Sequence, residues 1–253
     1  MCIIVTSGDS MKLTVKDVTF NEGLPKICVP IVGHTKETIY EELEQLSWDT
    51  VDVVEWRMDM CDELEEAVQI AKSISEDYPL LATFRTPFEG GKQTITNQEY
   101  VHLYKKLIDN KVVDMIDVEY QREDVVNELV NYAHNHGVYV VLSYHNFHQT
   151  PLEKDVFMHL RNMQKLNADI CKVAVMPKSE EDVITLLQTS IHWKKQATQP
   201  YILLSMGTLG TMTRMCAEFM GCCMTFGKGV QESAPGQLSK EQLKEALLWL
   251  HHK

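Results

Sequence analysis

Arginine is scarce in this chain. Only five of 253 residues are arginine, at 57, 85, 122, 161 and 214, and the formal net charge is −12. So acidic a surface repels nucleic-acid phosphates and offers no polybasic segment to an anionic membrane, so neither partner is expected. No apolar run approaches the roughly 20 residues of a membrane span. The N-terminal run Cys2-Ile-Ile-Val5 is too brief for a secretory leader. The pattern before Met11 is weak, which makes Met11 a candidate alternative start. The seven cysteines, at 2, 28, 61, 171, 216, 222 and 223, are odd in number and form no Cys-x-x-Cys pair. Several sit in apolar runs, where cysteine acts as a small hydrophobe, so a reducing, cytoplasmic setting is expected. No Pro-, Gly- or Ser-rich linker divides the chain. A single domain over residues 1–253 is expected, long enough to bury a core without disulfide or metal staples.

What the chain does have is repetition. Apolar strand candidates at 26–33, 51–58, 80–86, 115–120, 138–147, 169–176, 201–207 and 222–227 alternate with helix-like stretches at 35–46, 63–76, 96–110, 123–136, 152–167, 179–198, 211–220 and 239–252. Such alternation implies a parallel sheet, and eight units at this chain length suit a (β/α)8 barrel. An open doubly wound sheet would announce itself with a Gly-rich first turn, whereas the first turn here reads Val32-Gly33-His34-Thr35. Residues 11–20 alternate enough to form a strand or hairpin covering the barrel's N-terminal end. Thr35 and Ser239 signal helix starts. Gln242 completes a capping box for the second, while Thr38 breaks the pattern for the first.

Barrel strands point alternate side chains inward, and chemistry gathers at their C-terminal ends. Period two puts Glu55, Arg57 and Asp59 on one face, and Asp117 with Glu119 on another. Arg85 closes the third strand, ahead of Glu89-Gly90-Gly91, and the fifth ends Ser143-Tyr144-His145-Asn146-Phe147-His148. Lys172 lies in the middle of an apolar run, where an ammonium must be neutralised or paired. Burial and neighbouring cations would favour the neutral amine, which attacks carbonyls. A strand lysine more commonly pairs with a carboxylate, a lone histidine with a backbone group, and Glu55, Arg57 and Asp59 can form a mere ion-pair network. His145 and His148 lack the further partners of a metal site, so no metal is expected. Three of the five arginines, 57, 85 and 214, fall at the expected mouth, which suggests recognition of a small anion.

From about Lys26 to the C-terminus the chain resembles type I 3-dehydroquinate dehydratase, the Schiff-base enzyme of the shikimate pathway. The resemblance rests on Glu55-Trp-Arg57-Met-Asp59, Thr83-Phe-Arg85, Glu89-Gly-Gly91, Ser143-Tyr-His145-Asn-Phe, Lys172-Val-Ala-Val-Met-Pro177, Ser205-Met-Gly207, Arg214 and Ser233-Ala-Pro-Gly-Gln237. It implies dehydration of 3-dehydroquinate to 3-dehydroshikimate in aromatic amino acid biosynthesis, without cofactor, by a homodimer. It implies Lys172 as the imine-forming residue, His145 as general acid and base, and Glu89 as the carboxylate beside it. Glu55, Arg57, Arg85, Arg214, Ser233 and Gln237 match substrate-binding positions, with Arg214 paired to the substrate carboxylate. For that chemistry a histidine titrating near neutrality is expected. Asn146 stands where many relatives carry Asp, and Pro30 where some carry Ser.

Two alternatives remain. A class I Schiff-base aldolase would want a phosphate site, for which only Gly227–Gly229 speaks, and a non-catalytic barrel would merely bind a small acid. Residues 228–237, polar and poor in apolar anchors, are expected to be a lid that orders when Ser233 and Gln237 meet substrate.

Overall fold

The structure, a computed structural model, describes residues 11–251; Cys2–Val5 and the question of the start before Met11 lie outside them. A short hairpin, β1 (Leu13–Val15) and β2 (Val18–Phe20), comes first. Eight parallel strands follow: β3 (Lys26–Ile31), β4 (Val53–Arg57), β5 (Leu80–Thr83), β6 (Met115–Glu119), β7 (Tyr139–Asn146), β8 (Ile170–Val175), β9 (Tyr201–Ser205) and β10 (Met224–Phe226). Their order, β10-β3-β4-β5-β6-β7-β8-β9, is that of a barrel rather than an open doubly wound sheet. Helices α1 (Lys36–Leu43), α2 (Ala67–Asp77), α3 (Asn97–Asp109), α4 (Glu123–Asn135), α5 (Glu153–Lys165), α6 (Glu180–Lys194), α7 (Gly207–Met215), α8 (Ala217–Met220) and α9 (Lys240–Leu250) fill the crossovers. Among the described residues no helix is long and apolar enough to cross a membrane.

Two apolar layers follow from the strand period. Outward residues such as Val29, Val54, Ile116 and Val173 pack under the helices. Inward residues at the N-terminal ends, Cys28, Val53, Leu81, Met115, Val141 and Ile170, form a second core that Val15, Val18 and Phe20 of the hairpin complete. The hairpin thus plugs the barrel bottom. Its turn residue Lys16 (φ 51°) is held there by Nζ, which donates to Tyr78 O at 3.0 Å and pairs with Asp114 at 3.0 Å.

The barrel closes tightly except at one seam. Between β9 and β10 there is no ladder; Cys223 N donates to Tyr201 O at 2.9 Å, and Cys222 Sγ lies 3.3 and 3.5 Å from Leu203 N and O. A side chain thus occupies backbone groups that a strand would have taken, and β10 is shorter than the expected 222–227. Beyond β5 the N–H groups of Phe84, Arg85 and Thr86 likewise go to Tyr104 Oη, Asp59 and Glu119. The strand therefore ends at Thr83 and the chain turns to build the mouth.

Two sequence expectations need correction. Thr38 does not break the first capping box: its hydroxyl accepts from Thr35 N at 3.0 Å, while Thr35 Oγ1 accepts from Thr38 N. The stretch expected as one helix over 211–220 begins earlier, at Gly207, and is interrupted at Cys216 (φ −86°, ψ 15°) before α8.

Candidate active site

The inward positions turn polar one layer above the bottom core. Lys172 in β8 is buried, and its Nζ donates to Asp117 Oδ2 of β6 at 3.1 Å and Glu55 Oε1 of β4 at 3.5 Å. Of the two fates open to a buried lysine, the structure shows pairing. Its direct partners are carboxylates, because Glu55 and Asp117 occupy the same inward layer, and the nearby cation Arg85 shares Asp117 with it. Thr83 Oγ1 holds Glu55 Oε1 at 3.0 Å. Asp117 Oδ1 accepts from Arg85 at 2.7 Å and from Ser143 Oγ at 2.6 Å. Burial pushes Asp117 up, but Arg85, Lys172 and the Ser143 hydrogen bond outweigh it and hold its carboxyl at about 2. It stays an anion.

Above this layer sits the His145–Glu89 pair. His145, near the end of β7, brings Nδ1 within 2.8 Å of Glu89 Oε2, which also accepts from Arg85 at 3.2 Å. Glu89 closes a 3-10 turn, Pro87–Glu89, and Gly90 (φ 85°) follows in the left-handed region that favours glycine. At Gly91 a Cβ would lie 1.8 Å from Arg85 O, so the double glycine lets the loop fold back against the strand that launched it. Burial raises the Glu89 carboxyl well above the usual range. Burial, then Arg85, Lys172 and Arg57, hold His145 well below the ordinary histidine value. Burial first, and then the three cations, favour a neutral resting imidazole over one that titrates near neutrality.

Asn146 does not touch the catalytic pair. Its Oδ1 accepts from His148 N and Gln149 N at 2.9 and 3.0 Å, capping the turn after β7, with His148 exposed. Pro30 of β3 lies in register beside Glu55.

The arginines divide by use. Arg57 donates Nε and Nη2 to Asp59 at 2.8 Å each, an inward ion pair, and its Nη1 reaches Ser233 O at 3.4 Å. Arg85 spends its guanidinium on Asp117, Glu89 and Ser143, with Glu119 3.5 Å away. Arg214 differs. It is 1% exposed, yet its partners among the described residues are two carbonyls, Phe226 O and Pro235 O, each at 3.4 Å, and Nε has none there. Burial lowers it to about 10, which leaves it charged at neutral pH. A buried cation without a carboxylate leaves room for an anion.

Segment 228–237 closes over this mouth by polar rather than apolar contacts. Gln237 Oε1 accepts from Ser233 N at 2.9 Å, Gln237 Nε2 donates to Ser233 Oγ at 3.2 Å, and Gly207 N donates to Pro235 O at 3.0 Å. All nine residues expected at the site, Lys172, His145, Glu89, Glu55, Arg57, Arg85, Arg214, Ser233 and Gln237, line one cavity. Gly227 and Lys228 do not form a phosphate cradle, because their N–H groups are taken by Cys28 O and Leu238 O at 3.0 and 2.8 Å. Among the described residues no three His, Cys, Asp or Glu side chains converge as metal ligands.

Sequence reasoning set Asp117 and Glu119 on a face without giving them a place in the site. The signal was available: a carboxylate at an inward strand position needs a buried cation, and Lys172 and Arg85 were the candidates. Phe226, which also lines the cavity, carried no such signal, since an aromatic residue in a strand is ordinary core.

Comparison with known proteins follows this geometry. A family model of type I 3-dehydroquinase matches residues 27–253. A 3-dehydroquinate dehydratase of Clostridioides difficile is 40% identical over 248 residues, 95% of this chain and 97% of that protein. One from Listeria innocua is 40% identical over 247 residues, 95% and 98% of the two chains. A crystal structure of type I 3-dehydroquinate dehydratase from Clostridium difficile with covalently modified comenic acid has a TM-score of 0.90 at 40% identity, covering 95% of this chain and 98% of that one. The 3-dehydroquinate dehydratase structure from Geobacillus kaustophilus gives 0.91 at 30% identity, over 94% and 96%.

Proposed function

Because the chain belongs to the type I 3-dehydroquinase family, we propose that it is a hydro-lyase that dehydrates 3-dehydroquinate to 3-dehydroshikimate through an imine on Lys172, serving aromatic amino acid biosynthesis. One observation carries the reading: a buried lysine, a neutral histidine oriented by a carboxylate, and an under-paired arginine open on a single cavity.

Arg214 receives the substrate carboxylate, which supplies the partner the protein withholds. Ser233 and Gln237 exchange their mutual hydrogen bonds for substrate hydroxyls, and Glu55, Arg57 and Arg85 shape the polar wall. Lys172, once it has given up a proton, attacks the ketone carbon. The carbinolamine gains a proton and loses water, which leaves a protonated imine. With Nδ1 held by Glu89, His145 keeps Nε2 free to take the proton alpha to the imine, and the electron pair moves into C=N⁺. That pair then expels the β-hydroxyl, protonated by the imidazolium, as water. Hydrolysis of the imine frees the enone and restores the lysine. The imine is the electron sink throughout.

The aldolase alternative is weakened, since the N–H groups of Gly227 and Lys228, two of the three in Gly227–Gly229, are already taken. By the family resemblance the protein works as a cytoplasmic homodimer, which light scattering checks for the dimer. The decisive experiment is borohydride reduction in the presence of 3-dehydroquinate, read by mass spectrometry, alongside an ultraviolet assay for the enone. A stable adduct is expected, lost with turnover in Lys172→Ala; an adduct that persists on another lysine overturns the assignment. His145→Ala should still form adduct slowly while turnover falls about 10²–10⁴-fold. Turnover near the unsubstituted rate would make His145 structural.

A further inference from the structure

We infer that Phe226 is a catalytic residue whose ring face stabilises the positive charge on Lys172 nitrogen as the imine forms; this rests on the Schiff-base reading above. Lys172 Nζ lies 4.4 Å from the centre of the Phe226 ring. Each residue is 4% exposed, so water screens little of their interaction. A cation over an aromatic face is attracted by the ring's negative π cloud, more strongly when both are desolvated.

The ring gains importance as the reaction proceeds. The resting ammonium has three N–H groups and directs two at Asp117 and Glu55. The protonated imine keeps its charge but has one N–H, so one of those hydrogen bonds must go. Attraction to a ring face needs no N–H and persists. The placement is also fixed from behind. Phe226 pairs in register with Cys28 of β3, and its carbonyl accepts from Arg214 Nη1 at 3.4 Å. One residue therefore meets the nitrogen with its side chain and the proposed carboxylate-binding arginine with its backbone.

The test separates charge from shape. Phe226 is replaced with 4-fluoro-, 3,5-difluoro- and 3,4,5-trifluorophenylalanine, which drain the π cloud while nearly keeping ring size, and also by Phe226→Leu. Single-turnover imine formation is read by borohydride trapping, with kcat, KM and Tm measured in parallel. The expected result is a stepwise fall in trapping rate and kcat with each added fluorine, reaching about tenfold for the trifluoro ring. KM and Tm should change little, and Leu should be at least as impaired. Fluorinated variants that trap and turn over at the unsubstituted rate overturn the proposal, as does a loss in Leu that only tracks lowered Tm. The unsubstituted protein is the control for the premise. Its failure to yield any adduct removes the Schiff-base reading and this inference together, whereas normal trapping with a flat fluorine series removes this inference alone.

Discussion

Burial biases the His145 ring toward its neutral form, and the charges of Arg85, Lys172 and Arg57 push it the same way. The sign of the consequence is definite. With the proton-bound state disfavoured, His145 stays a free base as pH falls through the usual histidine range. It protonates only once pH reaches its lowered value. The acid limb of kcat/KM, which reports the free enzyme, should therefore lie below pH 6.5 if His145 sets it. A kcat/KM profile that already falls at or above that value would show that burial and these charges do not govern the working base. The residues themselves were legible to different degrees. Lys172 could be read because an ammonium amid apolar strand residues demands an explanation. The lowered basicity of His145 could not, because it depends on burial in the folded mouth and on Arg85, Lys172 and Arg57 arriving from three other strands or strand ends.

At the scale of elements, the turn that carries Glu89 is set by two glycines with separate duties. Gly90 supplies a left-handed backbone, and Gly91 permits an approach of 1.8 Å between its would-be Cβ and Arg85 O. Gly91→Ala must displace backbone, so it should cost about 1–3 kcal/mol or more in stability. It should also swing Glu89 from His145 and lower kcat more than it raises KM. Denaturant melts together with steady-state kinetics check this, and an alanine variant with normal stability and kcat would dismiss the turn as a passive connector. The segment 228–237 makes the complementary case. Its sequence showed too few apolar anchors, and the structure agrees that backbone carbonyls and the Ser233–Gln237 pair hold it. Such contacts exchange readily with water, so local opening should precede global unfolding. Hydrogen exchange over 228–237 should slow when ligand is added; equal protection in both states would mark a fixed loop. Strand starts were legible from period two. Strand ends were overrun, at β5 by three residues, because Asp59, Glu119 and Tyr104 capture N–H groups that sequence pattern assigns to a ladder.

Across the whole molecule, stability and chemistry occupy opposite ends of one barrel. The bottom is apolar and plugged by Val15, Val18 and Phe20, whereas the top holds the ionised cluster. Phe20, fully buried beneath the strands, should cost about 3–5 kcal/mol when replaced by alanine. The folded fraction should keep its kcat, since among the described residues no hydrogen bond or ion pair of the site reaches that layer. A large fall in kcat at a temperature where Phe20→Ala is fully folded would contradict this division. The barrel itself was legible as eight strand–helix repeats, and the hairpin as an alternation over 11–20. The seam was not, because nothing in Cys222 or Cys223 announces that a thiol will stand where a ladder is missing.

That seam has a consequence under mechanical force. Traction on the C-terminal end reaches α9 first, then 228–237, then β10, whose ladder to β3 spans three register pairs and whose hold on β9 is one backbone bond and a sulfur. Behind it, β9 is joined to β8 by five register pairs. The first piece to peel would therefore be the last stave and its trailing loop, taking Phe226, Ser233 and Gln237 with it. Lys172, His145 and Arg214, all placed before the last stave, would stay in the stump, which would keep its nucleophile, its base and its anion-binding arginine but lose the residues that cover them.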